Sequence, residues 1–131
     1  MNKINEENII AISALLVHVA KIDENYTDKE KKLISSYINL YEKDEKKIKY
    51  LLSKAEQLEN DSNQLLNFTN TIKQNSLEFK STLIENLWKI IISDNSIDYY
   101  ESGIMRKICG LIYFPDKQSG EIKLKILDEL K

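Results

Sequence analysis

Apolar residues along this chain recur at three- and four-residue spacing, the period of α-helices with one buried face. The first such segment, Glu6 to Ile22, carries Ile9, Ile10, Ile12, Leu15, Leu16, Val17, Val19 and Ala20 and is apolar over most of its circumference. A band that wide marks a central helix, packed on several sides. A second segment, Asp28 to about Tyr41, places Leu33, Ile34, Tyr37, Ile38 and Tyr41 on one face. The third, Glu45 to about Leu58, has the stripe Ile48, Leu51, Leu52, Ala55 and Leu58, and a polar break at Asn60, Asp61, Ser62 and Asn63 follows it. A fourth, Gln64 to Lys73, carries Leu65, Leu66, Phe68 and Ile72. The fifth, Leu77 to Ser93, is the second central helix, with Leu83, Ile84, Leu87, Trp88, Ile90, Ile91 and Ile92. The sixth, Tyr99 to about Tyr113, turns Ile104, Met105, Ile108, Leu111 and Ile112 inward and stops before Pro115. The seventh, Asp116 to Leu130, carries Ile122, Ile126, Leu127 and Leu130. The pattern predicts an all-α fold of about seven helices in one domain over residues 1–131.

Helix-start signals agree with this division. Thr27 reads as an N-cap, and Glu30, three residues on, can reach back to the cap's own N–H; such a capping box contributes on the order of 1 kcal/mol. Asp98 and Glu101 repeat the arrangement, and Asp44 and Ser76 are the caps of the third and fifth helices. The repetition is wider than the caps. Asp23-Glu24-Asn25-Tyr26-Thr27-Asp28-Lys29-Glu30 and Asp94-Asn95-Ser96-Ile97-Asp98-Tyr99-Tyr100-Glu101 share an Asp, an apolar residue three on and a Glu seven on. The offset that carries Asp23 onto Asp94 also carries Leu16, Val19 and Ala20 onto Leu87, Ile90 and Ile91, and Leu33 and Ile34 onto Ile104 and Met105. The chain therefore reads as two related helix-turn-helix halves in pseudo-twofold pairing, with the two central helices packed on each other.

Composition narrows the function classes. Only three Gly and one Pro interrupt a chain that is 42% apolar and 31% charged, which suits helices throughout. A net charge of −2 argues against a nucleic-acid binder, and the lysines at Lys29, Lys31, Lys32, Lys43, Lys46, Lys47 and Lys49 are interleaved with acids as on a solvated face. Cys109 is the only cysteine, so no internal disulfide and no Cys-based zinc cluster can form. The polar opening Met1 to Glu7 is not a signal peptide, and the apolar runs fall short of the roughly 20 residues that span a bilayer, so a cytoplasmic, non-transmembrane protein is expected.

The segments Leu15-Leu16-Val17-His18-Val19-Ala20-Lys21-Ile22-Asp23 with Thr27-Asp28-Lys29-Glu30-Lys31-Lys32-Leu33-Ile34, and Leu87-Trp88-Lys89-Ile90-Ile91-Ile92-Ser93-Asp94 with Ile97, Asp98 and Glu101, resemble the tellurite-resistance TerB-like family. The resemblance covers residues 8–128 and fits stand-alone members of the family. It implies an all-helical bundle of two pseudo-repeated halves. It implies a bacterial cytoplasmic protein that is not an enzyme, tied to tellurite resistance and stress responses. It also implies divalent-metal binding through acidic residues and contact with membrane-associated protein complexes. The matched acidic positions are Asp23, Glu30, Asp94 and Glu101. The chain departs from the family pattern directly after each Asp, where the family has Gly and this sequence has Glu24 and Asn95. Asn tolerates a left-handed backbone and Glu does so poorly, so the first turn is expected to differ in shape.

The residues themselves divide the acidic turns in two. Glu30 and Glu101 are accounted for by capping and by the positive end of the following helix. Asp23 and Asp94 stand at the C-terminal end of a preceding helix, where the dipole disfavours a carboxylate. The compensation is either a hydrogen bond to turn amides or a hard cation such as Mg2+ or Ca2+. With eight residues from Asp to Glu and no Gly the turn is not the twelve-residue EF-hand loop, so any such site is weak. Catalysis is not expected: His18, the only His, sits among valines on a central helix, and Cys109 sits in an apolar stripe as an inert buried thiol. Two readings stand at this level. One is a non-catalytic module that binds divalent cations weakly at Asp23, Glu30, Asp94 and Glu101 and acts with a protein partner in a stress-related assembly. The other is a pure protein-interaction or oligomerisation domain whose acidic turns are only caps. The oligomeric state is not encoded in any motif.

Overall fold

The first helix, α1 (Glu6–Ile22), is buried at every position from Ala11 to Ala20, as its all-round apolar pattern requires. The computed structural model describes residues 6–22, 27–61, 65–92 and 99–129, and within these the side chains at 22, 65–67 and 99–102 are outside the described set. After α1 come α2 (Asp28–Ile38), α3 (Glu45–Asp61), α4 (Leu65–Ile72), α5 (Leu77–Ile92), α6 (Tyr99–Ile112) and α7 (Asp116–Glu129), with no strand among the described residues.

The repeat reaches the helix boundaries. Glu6, Asp28 and Glu45 open α1, α2 and α3, and the offset that relates Asp23 to Asp94 carries them onto Leu77, Tyr99 and Asp116, which open α5, α6 and α7. Each half is a set of three mutually packed helices, α1–α3 and α5–α7. The two central helices touch, with α1 also packed on α2, α3 and α4, and α5 on α2, α6 and α7. Helix α4 belongs to neither half and packs on both α1 and α6. One hydrophobic cluster draws on every helix, from Ile12, Leu15 and Leu16 through Ile34, Leu51, Phe68, Leu83, Leu87 and Ile108 to Ile126.

Local chemistry sets the helix ends. Lys46 N–H donates to Asp44 Oδ1 at 3.1 Å and Phe79 N–H to Ser76 Oγ at 3.2 Å, so both expected caps form. Helix α2 stops at Ile38 instead of Tyr41, because Leu40 and Tyr41 turn their N–H groups to Tyr37 and Ile38 three residues back, at 3.0 and 2.9 Å. Tyr41 still packs at 5.9 Å from the ring of Phe79. Helix α3 continues through Asn60 and Asp61, where the sequence predicts a break. Its buried face is Ile48, Leu51, Ala55 and Glu59, whereas Leu58 is 36% exposed.

Helix α6 ends in a Schellman turn. Phe114 N–H donates to the Cys109 carbonyl at 2.8 Å across Tyr113, whose φ of 61° is left-handed, and Phe114 packs into the core. An L-residue there carries a steric cost of roughly 1–2 kcal/mol, which Gly avoids. Tyr113 is 71% exposed and loses little packing on truncation. Tyr113→Gly is therefore expected to stabilise the chain by about 0.5–1 kcal/mol, read as a higher urea midpoint at an unchanged slope.

Candidate functional site

Helix α1 delivers two polar side chains from its last turns, and α3 answers both with one buried carboxylate. His18 Nδ1 lies 3.0 Å from Glu59 Oε2, and Lys21 Nζ lies 2.7 Å from Glu59 Oε1. The Glu59 side chain is 6% exposed, His18 11% and Lys21 39%. The His18 ring is also tilted against Phe68 of α4, centroid to centroid 5.8 Å. Burial by itself works against an ionised Glu59. The Lys21 ammonium and the His18 ring outweigh it, and the carboxyl lies below its ordinary value of 4.5. A carboxylate only accepts, so Nδ1 of His18 carries the hydrogen. Two further polar links join α3 to its neighbours: Lys31 of α2 lies 3.9 Å from Glu56, and Lys47 lies 3.0 Å from Glu6 of α1.

Glu59 is not among the residues that the apolar pattern marks. The stripe Ile48–Leu51–Ala55 extends most simply to Leu58, and only a step of four at that point brings Glu59 inward. The signal that points to it is His18 itself: the chain's only His, on a helix buried on all sides, needs a polar partner.

Of the four acidic residues read as a site, Glu30 is fully described. It is buried, and its Oε1 accepts the Thr27 N–H at 3.1 Å and the Thr27 hydroxyl, so the expected capping box forms. Asp23 and Asp94 lie outside the described residues, as does the second cap, Asp98. Glu101 occupies the first turn of α6, its side chain outside the described set. Among the described residues no three His, Cys, Asp or Glu side chains cluster closely enough to hold a metal ion.

The remaining reactive groups are in structural use. Cys109 is buried, and burial pushes its thiol up; its neighbours are Ser119 and Asp116, and His18 is committed to Glu59. Trp88 donates its indole N–H to Ser119 Oγ at 3.0 Å and carries the Lys123 ammonium 5.1 Å above its ring, tying α5 to α7. No helix among the described residues is long and apolar enough to cross a membrane.

The depressed carboxyl of Glu59 fixes the sign of a pH effect. Its stabilising contribution is present above the ordinary carboxylate range near 4.5 and is lost as pH falls through the lower folded value. Glu59→Gln is expected to cost about 1–3 kcal/mol at pH 7 and to flatten the acid limb of the stability–pH curve below about pH 4.5. Urea titrations of both proteins between pH 3 and 7 measure this; parallel curves would contradict the assignment.

Among proteins of known kind, neither a curated sequence nor a solved structure matches the chain. A family model described as tellurite resistance protein TerB matches residues 9–124, a span that takes in both helix-turn-helix units, the buried Glu59 and the α4 insert. With nearly its whole length covered, and with seven helices in two halves and no strand among the described residues, the chain belongs to the TerB family.

Proposed function

We propose that the protein is a non-catalytic, single-domain TerB module that binds a divalent cation, Mg2+ or Ca2+, weakly at its two acidic turns and serves a protein assembly of the tellurite- or stress-response kind. The observation that carries this reading is the recurrence of the whole unit. All three helices of one half restart at one constant offset in the other, so Asp23 and Asp94, and Glu30 and Glu101, hold equal places in the repeat. Both pairs fall within the matched family span. An Asp just past a helix C-terminus faces the negative end of the dipole, and a hard cation relieves that cost. Glu30 is occupied by the Thr27 cap, so Asp23 and Asp94 are the leading ligands, with backbone carbonyls and water completing the shell. Non-catalytic action is supported by the structural use of the two best nucleophile and base candidates, Cys109 and His18. A cytoplasmic setting and a partner within a membrane-associated complex follow from the family reading.

Thermal melts with and without 10 mM MgCl2 or CaCl2 test the ion. A millimolar dissociation constant gives about 1.4 kcal/mol of linkage at that concentration, a rise of a few degrees in Tm. The Asp23→Asn, Asp94→Asn double variant is expected to lose that rise. An equal rise in both proteins, or none in either, rejects cation binding at the turns and leaves the turns as helix caps.

A further inference from the structure

We propose that His18 is a phosphoryl-acceptor site: its Nε2 takes a phosphoryl group from a small acyl phosphate in solution, with Glu59 and Lys21 as positioning residues. The inference goes beyond cation binding at the turns and does not depend on it. Glu59 engages one ring nitrogen only. Nδ1 lies 3.0 Å from the carboxylate and carries the hydrogen, so in the neutral ring the lone pair is on Nε2. Nε2 has no hydrogen-bond partner among the described residues, and Ser13 Oγ is the only fully buried side-chain polar atom there that lacks one. Nε2 therefore reaches solvent, although His18 as a whole is 9% exposed. A carboxylate on the far nitrogen fixes the tautomer and meets the positive charge that the ring gains when Nε2 forms a bond. Lys21, three residues on and exposed, shares that carboxylate at 2.7 Å, which holds its ammonium on the same side of α1 as the ring. An ammonium there suits a dianionic group arriving at Nε2. A nucleophile this recessed admits a small donor and excludes a side chain carried on a folded partner.

The step balances without a further reagent. The Nε2 lone pair forms an N–P bond as the P–O bond to the acyl group breaks, the acyl group leaves as a carboxylate with the bonding pair, and Nδ1 keeps its hydrogen. Glu59 meets the charge on the ring, and Lys21 that on the phosphoryl oxygens. One chain takes one group, so the module stays non-catalytic. The repeat does not need this triad for packing. At the places of His18, Lys21 and Glu59 the second half has Lys89, Ile92 and Leu130, and it ties its first helix to its third by the neutral Trp88–Ser119 contact.

The test incubates the full chain with acetyl phosphate in mildly alkaline buffer and reads phosphorus and ring-nitrogen NMR. His18 is the only histidine, so the ring signals report it alone. The ring is expected to show the Nδ1–H tautomer before reaction and one acid-labile phosphoryl group on Nε2 after it. The folded wild type is expected to react roughly ten- to a hundredfold faster than the chain unfolded in urea, the scale on which an oriented carboxylate acts through a histidine. Glu59→Gln keeps an acceptor but no charge, and its rate is expected to fall most of the way to the unfolded one. Lys21→Met is expected to slow the reaction roughly three- to tenfold, the scale of one charge near a surface, with the tautomer unchanged. His18→Gln takes up no acid-labile phosphate. If Glu59→Gln fails to fold, the unfolded reference and Lys21→Met still decide. The inference is overturned by no acid-labile group on the folded wild type, a label on Nδ1, a label that persists in His18→Gln, a Lys21→Met rate equal to wild type, or a folded rate no higher than the unfolded one. A merely structural His18–Glu59 pair gives the last result, because burial then only shields the ring.

Discussion

Helix α1 is buried on every side from Ala11 to Ala20, and the rest of the molecule is arranged to make that burial complete. Four helices surround it, α2, α3, α4 and α5, and each contributes apolar side chains to its flanks. Such a helix has no solvent-facing strip for its polar residues: the Ser13 hydroxyl is buried with no hydrogen-bond partner among the described residues, whereas the His18 ring has one inside. Glu59 supplies it from the last turn of α3, where its carboxylate meets the last turns of α1. Taking the carboxylate out of water is costly, and the Lys21 and His18 contacts offset that cost only while all three stay in register. The C-terminal ends of α1 and α3 are thereby fixed to each other just before the chain enters its first acidic turn.

The two halves solve the same packing problem with different chemistry. Both join their first helix to their third through a buried polar contact. In the first half it is ionic, His18 and Lys21 on Glu59; in the second it is neutral, the Trp88 indole on the Ser119 hydroxyl at 3.0 Å, with Lys123 over the ring. The contacts also sit at different levels, since Trp88 is the counterpart of Val17 and Ser119 of Ile48. The backbone repeat is therefore kept while the side chains that lock it have diverged. The insert α4 breaks the symmetry further, with Phe68 closing over His18 on one side and the helix resting on α6 on the other.

Much of this is legible without coordinates. Seven helices among the described residues, the caps at Thr27, Asp44 and Ser76 and the burial of Cys109 follow from periodicity and capping, which act over a few residues, while the pairing of α1 with α5 follows from the offset of the repeat. Sequence and structure part where local rules offer two answers of equal quality. After Ala55 the stripe on α3 can step by three to Leu58 or by four to Glu59, and hydrophobicity favours the wrong one. Asn60 and Asp61 read as a break although helix propensity is a weak prior, and α3 runs on through both, past the buried Glu59.

By itself the sequence determined the class of fold and its two-half plan, because each is written in short local spacings or in the one offset that relates the halves. Tertiary structure alone decided which charges meet. His18 and Glu59 are 41 residues apart, and nothing near either one names the other. Their pairing arises only when α1 is enclosed and its His18 ring is brought against the end of α3, a condition set by the packing of whole helices.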